Sequence, residues 1–150
     1  MKSLVLMTVV SMLAVASVAR ADGDLSRANP ATITIEMGST DAKHMYFKPN
    51  HIDLQTGKAY KIVLKNVDKI KHEFAAPELT PKVFTRKVEV IGANDKMIAE
   101  IKGSIHEVEL APGGVAEWFI VPVQTGKNIP MVCELKGHME AGMHGTVTIK

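Results

Sequence analysis

The chain has little of what would point to a disulfide-linked fold, to nucleic-acid binding or to a repeat architecture. It contains one cysteine among its 150 residues, so no disulfide can form within it. Its 18 basic and 16 acidic residues nearly balance, which gives no indication of nucleic acid or an anionic membrane as a partner. Internal repeats, low-complexity tracts and long amphipathic helical patterns are also absent from the sequence. The length of 150 residues is typical of a single globular domain.

The first 21 residues predict an export signal. Lys2 precedes an almost uninterrupted apolar run over residues 4–19, and residues 19–21 form the small-residue cleavage pattern Ala-Arg-Ala. The run is short and rich in Ala, Ser and Thr, which favours a cleaved signal over a membrane anchor. We therefore expect an exported protein in a bacterial periplasm, with no membrane segment after cleavage. Two basic residues would leave with the signal, so 16 basic residues would face 16 acidic ones.

Most of the remaining chain predicts β-structure. Apolar and polar side chains alternate over residues 32–37 and again over residues 59–66, where Tyr60, Ile62 and Leu64 share one face. Similar short runs occur at residues 97–102, 105–110, 115–121 and 146–150. Proline, glycine and asparagine separate these runs, as turns require. Many short strands at this spacing predict an all-β sandwich or barrel.

Two segments depart from this pattern. Residues 22–30 are polar and predict a flexible N-terminus, which leaves residues 31–150 as the folded domain. Residues 77–105 contain two prolines and a mixed charge pattern. They predict an irregular or short helical excursion, followed by one or two strands packed onto the sandwich.

Residues 133–145, with the sequence CELKGHMEAGMHG, gather the densest set of metal-ligand side chains. Cys133, His138 and Met143 follow one another at equal steps of five residues. A thiolate, an imidazole and a thioether together suit copper, because Cu(I) prefers soft sulfur and Cu(II) prefers nitrogen. Residues five apart point to different sides of an α-helix, and the three glycines favour a loop. The motif therefore predicts a loop wrapped around one copper ion.

Packing alone would also account for several of these side chains. Met139 and Met143 stand four apart and could fill a core from a short helix, although the glycines disfavour that helix. Cys133 could be a buried apolar side chain with no ligand role, or could pair with another chain. As for the metal, zinc is a weaker candidate than copper, because a thioether is not among its usual ligands.

A copper site of this kind takes a second equatorial imidazole. The histidines outside the Cys133–His138 pair are His44, His51, His72, His106 and His144. Of these, His72 is the best placed, because it follows the alternating run of residues 59–66 and lies far upstream of the cysteine. A ligand from a distant strand would close the site across the sandwich and hold it rigid.

With these residues assembled, the sequence resembles the cupredoxins, the small blue-copper family. The resemblance rests on Phe47, Pro49, Gly57, Asn66 and His72 in the first half, and on Pro112, Gly113, Trp118, Cys133, His138, Gly142, Met143 and Gly145 in the second. It implies a Greek-key β-sandwich over residues 31–150. It also implies one type 1 copper with His72, Cys133 and His138 as equatorial ligands and Met143 as the weak axial ligand.

The resemblance further implies a copper-binding redox protein rather than an enzyme. General likeness is greatest to exported cupredoxins of bacterial copper tolerance, which would bind copper and cycle it between Cu(I) and Cu(II). A diffusible one-electron carrier between respiratory partners is the alternative, and a redox protein would then dock near His138. A copper enzyme such as a nitrite-reductase-like domain is less favoured, because it would need a second, catalytic copper and additional domains.

The remaining candidate ligands carry weaker expectations. His44 and His51, with Met45, are candidates for a second copper site on the surface, although no spacing rule supports it. Met139 directly follows a predicted ligand and is expected to pack rather than to bind copper. His144 is expected to face solvent.

Overall fold

The computed structural model describes residues 28–150, which form two β-sheets and no α-helix. The predicted export signal at residues 1–21 and most of the predicted flexible segment at residues 22–30 lie outside the described residues. Between residues 28 and 150, no helix has the length and apolar character needed to cross a membrane.

Eleven strands and two short 3-10 turns make up the described chain. The strands are β1 (Ala31–Asp41), β2 (His44–Lys48), β3 (His51–Leu54), β4 (Tyr60–Asn66), β5 (His72–Ala75), β6 (Val83–Ile91), β7 (Met97–Ile101), β8 (Glu107–Leu110), β9 (Val115–Pro122), β10 (Gly126–Val132) and β11 (His144–Ile149). The 3-10 turns are Thr80–Lys82 and Ala93–Asp95. The prediction of an all-β fold is therefore confirmed.

The strands form one six-stranded and one five-stranded sheet. Their orders are β2-β1-β4-β9-β6-β7 and β3-β11-β10-β5-β8. β1 pairs with β4, and β3 with β11, in parallel, whereas the other neighbouring strands are antiparallel. In the five-stranded sheet, β5 lies directly beside β10, and this neighbourhood positions the site described below.

The core lies between the sheets and follows the predicted alternation. Tyr60, Ile62 and Leu64 on β4 are buried, as the pattern of residues 59–66 predicts. Phe74 on β5 packs edge-to-face against Trp118 on β9, with ring centroids 6.4 Å apart. Such an aromatic pair stabilises the sandwich beyond its burial alone. It also fixes the end of β5 against the opposite sheet.

The excursion at residues 77–105 contains the two 3-10 turns and two strands of the six-stranded sheet. β6 pairs with β9 from Val83 to Ile91, and β7 forms the edge of that sheet. The register of β6 against β9 shifts between Thr85 and Lys87. This irregularity breaks the alternation of buried and exposed side chains along β6, which is why the sequence pattern does not reveal the strand.

Candidate metal centre

Three of the four predicted ligands converge at one end of the five-stranded sheet. His72 is the first residue of β5, Cys133 follows the last residue of β10, and His138 lies in the turns that come next. One ligand atom from each lies within 4.8 Å of the other two. Cys133 Sγ is 3.2 Å from His138 Nδ1, and His72 Nδ1 is 3.3 Å from the same nitrogen. Both imidazoles therefore direct Nδ1 toward the shared space.

Strand pairing brings the upstream and downstream ligands together. Val132 on β10 is registered against Ala75 on β5, so the two strands run side by side where their ligands lie. The backbone N–H of Glu73 donates to Cys133 Sγ at 3.4 Å. His72 and Phe74 are two residues apart on β5, so they share its inner face. The imidazole is thus fully buried above the aromatic pair of the core.

Main-chain hydrogen bonds close the loop that carries Cys133, His138 and Met143. The Cys133 N–H donates to the Met143 carbonyl at 3.1 Å, and the Met143 N–H donates to the His138 carbonyl at 3.0 Å. Gly137 and Gly142 have φ values of 85° and 98°, which a side chain would strain. The loop is a series of turns, and it does not form the short α-helix that would align Met139 with Met143. Met143 is fully buried within it.

Burial shifts the pKa values of two of the candidate ligands, Cys133 and His138. It raises the pKa of the Cys133 thiol, with the Glu73 N–H acting weakly in the opposite direction. Burial also lowers the pKa of His138, and the neighbouring His72 adds to that shift. Both changes favour neutral side chains when no cation is bound. A metal ion would reverse this for the thiol, because a coordinating sulfur is deprotonated.

The donor set suits copper. Two imidazole nitrogens and one thiol sulfur face a common point, with a buried thioether residue in the same loop. A His₂Cys trigonal set with a weak axial methionine is characteristic of type 1 copper, and hard cations such as Mg²⁺ or Ca²⁺ take oxygen ligands instead. The residues present therefore fit the copper ion that the sequence predicts.

The loop that leads into His72 is built by Asn66, to which the sequence resemblance assigned no role, and by Asp68, which the sequence did not single out. Asn66 is fully buried, and its amide donates to the carbonyls of Ile70 at 2.8 Å and Leu110 at 2.9 Å. Its Oδ1 accepts the N–H of Asp68 at 2.9 Å. Asp68 Oδ2 in turn lies 2.9 Å from His72 Nε2. The one sequence signal for Asp68 is an acidic residue four positions before a candidate ligand.

Asp68 is strongly acidic in this setting. A hydrogen bond from the Ser39 hydroxyl and another from His72 lower the pKa of its carboxyl from 3.8 to about 2, against the opposing effect of burial. Because an ionised carboxylate only accepts hydrogen bonds, His72 Nε2 must be the donor. In the neutral imidazole the proton is then on Nε2, and Nδ1 carries the lone pair that can bind a metal.

The other predicted ligands lie apart from this centre. His44 pairs with Asp41 at 2.8 Å, and His51 lies 2.7 Å from the Thr146 hydroxyl. Among residues 28–150, neither histidine belongs to a group of three converging histidine, cysteine or acidic side chains. The second surface copper stays a prediction. Met139, for which the sequence predicts packing, is 49% exposed because the turn after His138 holds it outward.

Solved structures of copper proteins share this fold. A multicopper oxidase from Campylobacter jejuni aligns with 81% of this chain and 30% of its own at a TM-score of 0.62 and 15% identity. A copper-containing nitrite reductase from Thermus scotoductus SA-01 aligns with 81% of this chain and 31% of its own, at a TM-score of 0.60 and 14% identity. A copper nitrite reductase from Nitrosomonas europaea aligns with 85% of this chain and 52% of its own, at a TM-score of 0.60 and 10% identity.

The chain thus spans about a third of the first two of these proteins and about half of the third. No protein-family model and no curated protein matches the sequence. At such low identity the likeness shows the architecture alone. The fold is cupredoxin-like, as the sequence resemblance implies, and the His72–Cys133–His138 group occupies one end of it.

Proposed function

We propose that the chain is a type 1 copper redox protein, with His72, Cys133 and His138 as equatorial ligands and Met143 as the axial one. The observation that carries this proposal is the convergence of two Nδ1 atoms and one Sγ within 4.8 Å, where His72 and Cys133 are buried and His138 is half-buried. Copper bound there would supply one-electron exchange between Cu(II) and Cu(I).

The protein's contribution is to hold the ligands before copper arrives. His72 and Cys133 are attached to neighbouring strands of one sheet, and both are fully buried. Main-chain hydrogen bonds hold His138 and Met143 in the closing loop. Ligands fixed in this way move little when the charge of the metal changes, and small rearrangement favours fast electron transfer.

The surface beside His138 supports exchange of electrons with a protein partner. Val67, Ile70 and Met139 are 45%, 43% and 49% exposed, and they lie on the two loops that carry the ligand histidines. The imidazoles of those loops have ring centroids 5.1 Å apart. We propose that these three apolar side chains, called the apolar rim below, are where a redox partner docks.

Two biological uses fit one such site. We favour copper tolerance in the periplasm, with the protein binding and cycling copper, on the basis of the predicted export signal and the general likeness of the sequence. The apolar rim favours the second use, a diffusible one-electron carrier between respiratory partners. A nitrite-reductase-like enzyme is less favoured, because such an enzyme needs a second, catalytic copper and this proposal rests on a single ligand group.

Absorption spectroscopy tests the chemical proposal. Titration of the apoprotein with Cu(II) should produce an intense thiolate-to-copper band in the visible that saturates at one equivalent. Cys133→Ala should abolish the band, and His44→Ala, which removes a histidine outside the converging group, should leave it unchanged. A copper-loaded protein without a visible band would refute the site.

A gene deletion distinguishes the two uses. Cells without the gene should grow poorly on copper if the protein handles excess copper. A respiratory defect with normal copper resistance would instead support the electron carrier. Complementation with Cys133→Ala is the matched control, because it should fail to restore growth in either case.

A further inference from the structure

The two ligand histidines have different partners on their outer nitrogens. His72 Nε2 lies 2.9 Å from Asp68 Oδ2, whereas within residues 28–150 no side chain or backbone atom hydrogen-bonds His138 Nε2. His72 is fully buried, and the Asp68 side chain is only 14% exposed. The contact is therefore shielded from water, unlike an ordinary surface ion pair, whose energy is small.

Asp68 is held in place independently of the histidine. Its N–H donates to Asn66 Oδ1 at 2.9 Å, and its own Oδ1 accepts the Lys69 N–H at 2.6 Å. The second carboxylate oxygen, Oδ2, is left to face His72. Asn66 is itself buried and bonded to the carbonyls of Ile70 and Leu110, so the Asp68 carboxylate belongs to a loop that is held by several hydrogen bonds. It is not a mobile surface group that happens to lie nearby.

A carboxylate in this position changes the ligand in two ways. It favours the tautomer of the neutral imidazole with its proton on Nε2, in which Nδ1 presents a lone pair toward Cys133 and His138. It also makes the imidazole a stronger donor, and its negative charge stabilises Cu(II) more than Cu(I). His138 has no such partner within the described residues, so the effect applies to one imidazole of the pair.

We propose that Asp68 is a positioning residue that fixes the tautomer of His72 and biases the metal centre toward Cu(II). This inference rests on the proposed copper function, which it deepens by naming the residue that sets the reduction potential.

The reduction potential of copper-loaded Asp68→Asn is the decisive measurement. Asparagine keeps the shape of the side chain and removes its charge. We expect the preference for Cu(II) over Cu(I) to fall by about tenfold, in line with the effect of removing outer partners of metal ligands. For one electron, a tenfold change raises the potential by about 59 mV.

Asp53→Asn is the matched control. Asp53 also lies beside a histidine, with His51 Nε2 at 3.7 Å from its carboxylate, and it also pairs with Lys150. Both variants remove one negative charge near an imidazole, but His51 is not a proposed ligand. A rise in reduction potential that is confined to Asp68→Asn supports the proposal. An unchanged potential, or an equal rise in both variants, overturns it.

The apoprotein provides a second readout that does not need copper. Nitrogen-15 NMR of the imidazoles should show His72 protonated at Nε2 in the parent chain, and a mixture of both tautomers in Asp68→Leu, which removes the acceptor at similar volume. An unchanged tautomer would overturn the positioning role. If the parent chain shows no visible copper band, the proposed function fails, and the tautomer result still decides whether Asp68 orients His72.

Discussion

The two loops that meet at the metal centre are held by different kinds of bond. In the upstream loop, between β4 and β5, the side chains of Asn66 and Asp68 make the hydrogen bonds that position His72. In the downstream loop, from Cys133 to Met143, main-chain groups bond to one another, and glycines supply the unusual backbone angles.

This difference predicts different responses to substitution. Side-chain bonds are lost with a single residue, so the upstream loop depends on the identity of a few residues that are not ligands. Main-chain bonds persist through most substitutions, so the downstream loop depends on its ligands and on its glycines. The upstream loop also leaves its histidine buried, whereas the downstream loop leaves its histidine only half-buried.

Asn66→Ala should have the largest effect. It removes a buried amide and leaves the carbonyls of Ile70 and Leu110 without their donor. We expect the free energy of unfolding of the apoprotein to fall by about 2–4 kcal/mol, as for loss of a buried hydrogen-bond network. Urea unfolding measures this change. Asn50→Ala, at an exposed turn, is the control and should stay within about 0.5 kcal/mol of the parent.

Gly142→Ala tests the downstream loop. Gly142 has φ of 98°, and an added Cβ would lie 3.3 Å from the Met45 carbonyl oxygen. We expect a loss of about 1–2 kcal/mol in the free energy of unfolding, because an alanine in this conformation is strained. Gly57→Ala has a similar φ of 74° in open space, remote from the ligands. Both variants should lose stability, but only Gly142→Ala should alter the copper spectrum. An identical spectrum in both would contradict a role for the glycine in shaping the site.

Met143→Leu tests the axial ligand. The substitution nearly conserves apolar volume, so the free energy of unfolding should change by less than about 1.5 kcal/mol. Loss of the axial donor should raise the reduction potential, because Cu(I) is satisfied by the three equatorial ligands whereas Cu(II) gains more from a fourth donor. Met131→Leu, a fully buried methionine on β10, is the control for packing and should leave the potential unchanged. Voltammetry of the two loaded variants would separate a ligand from a core residue.

Met139→Lys should have the smallest effect on stability, within about 0.5 kcal/mol, because the side chain is half exposed. It places a charge in the apolar rim beside His138. We expect electron exchange with a redox partner to slow several-fold, measured by stopped-flow absorption at low and high salt. Val123→Lys is the control, because Val123 is 63% exposed and follows the last residue of β9, outside the two loops that carry the ligand histidines. Equal slowing by both variants would show that net charge, rather than docking at the rim, is responsible.

The sequence predicts the downstream loop well because its information is local. Cys133, His138 and Met143 are equally spaced, and Gly137 and Gly142, which disfavour a helix, lie between them. The inward face of β4 is equally predictable, because Tyr60, Ile62 and Leu64 alternate without interruption.

The conformations of the upstream loop and of β6 are harder to predict, because they depend on contacts with residues that are distant in the sequence. Asn66 acquires its role only when β4 approaches the carbonyls of Leu110 and Ala111. Asp68 acquires its role only when β5 turns His72 toward Cys133. β6 is obscured by the register shift against β9, and β10 carries Pro130 within its span, which argues against a strand when read alone.

Crystallography of the copper-loaded protein, with anomalous diffraction at the copper edge, tests the central claim most directly. We predict one strong copper peak, bonded to His72 Nδ1, Cys133 Sγ and His138 Nδ1, with Met143 sulfur on the axial side. Absence of a copper peak at this group, or a peak at Cys133 with the His72 imidazole unbonded, would contradict the account.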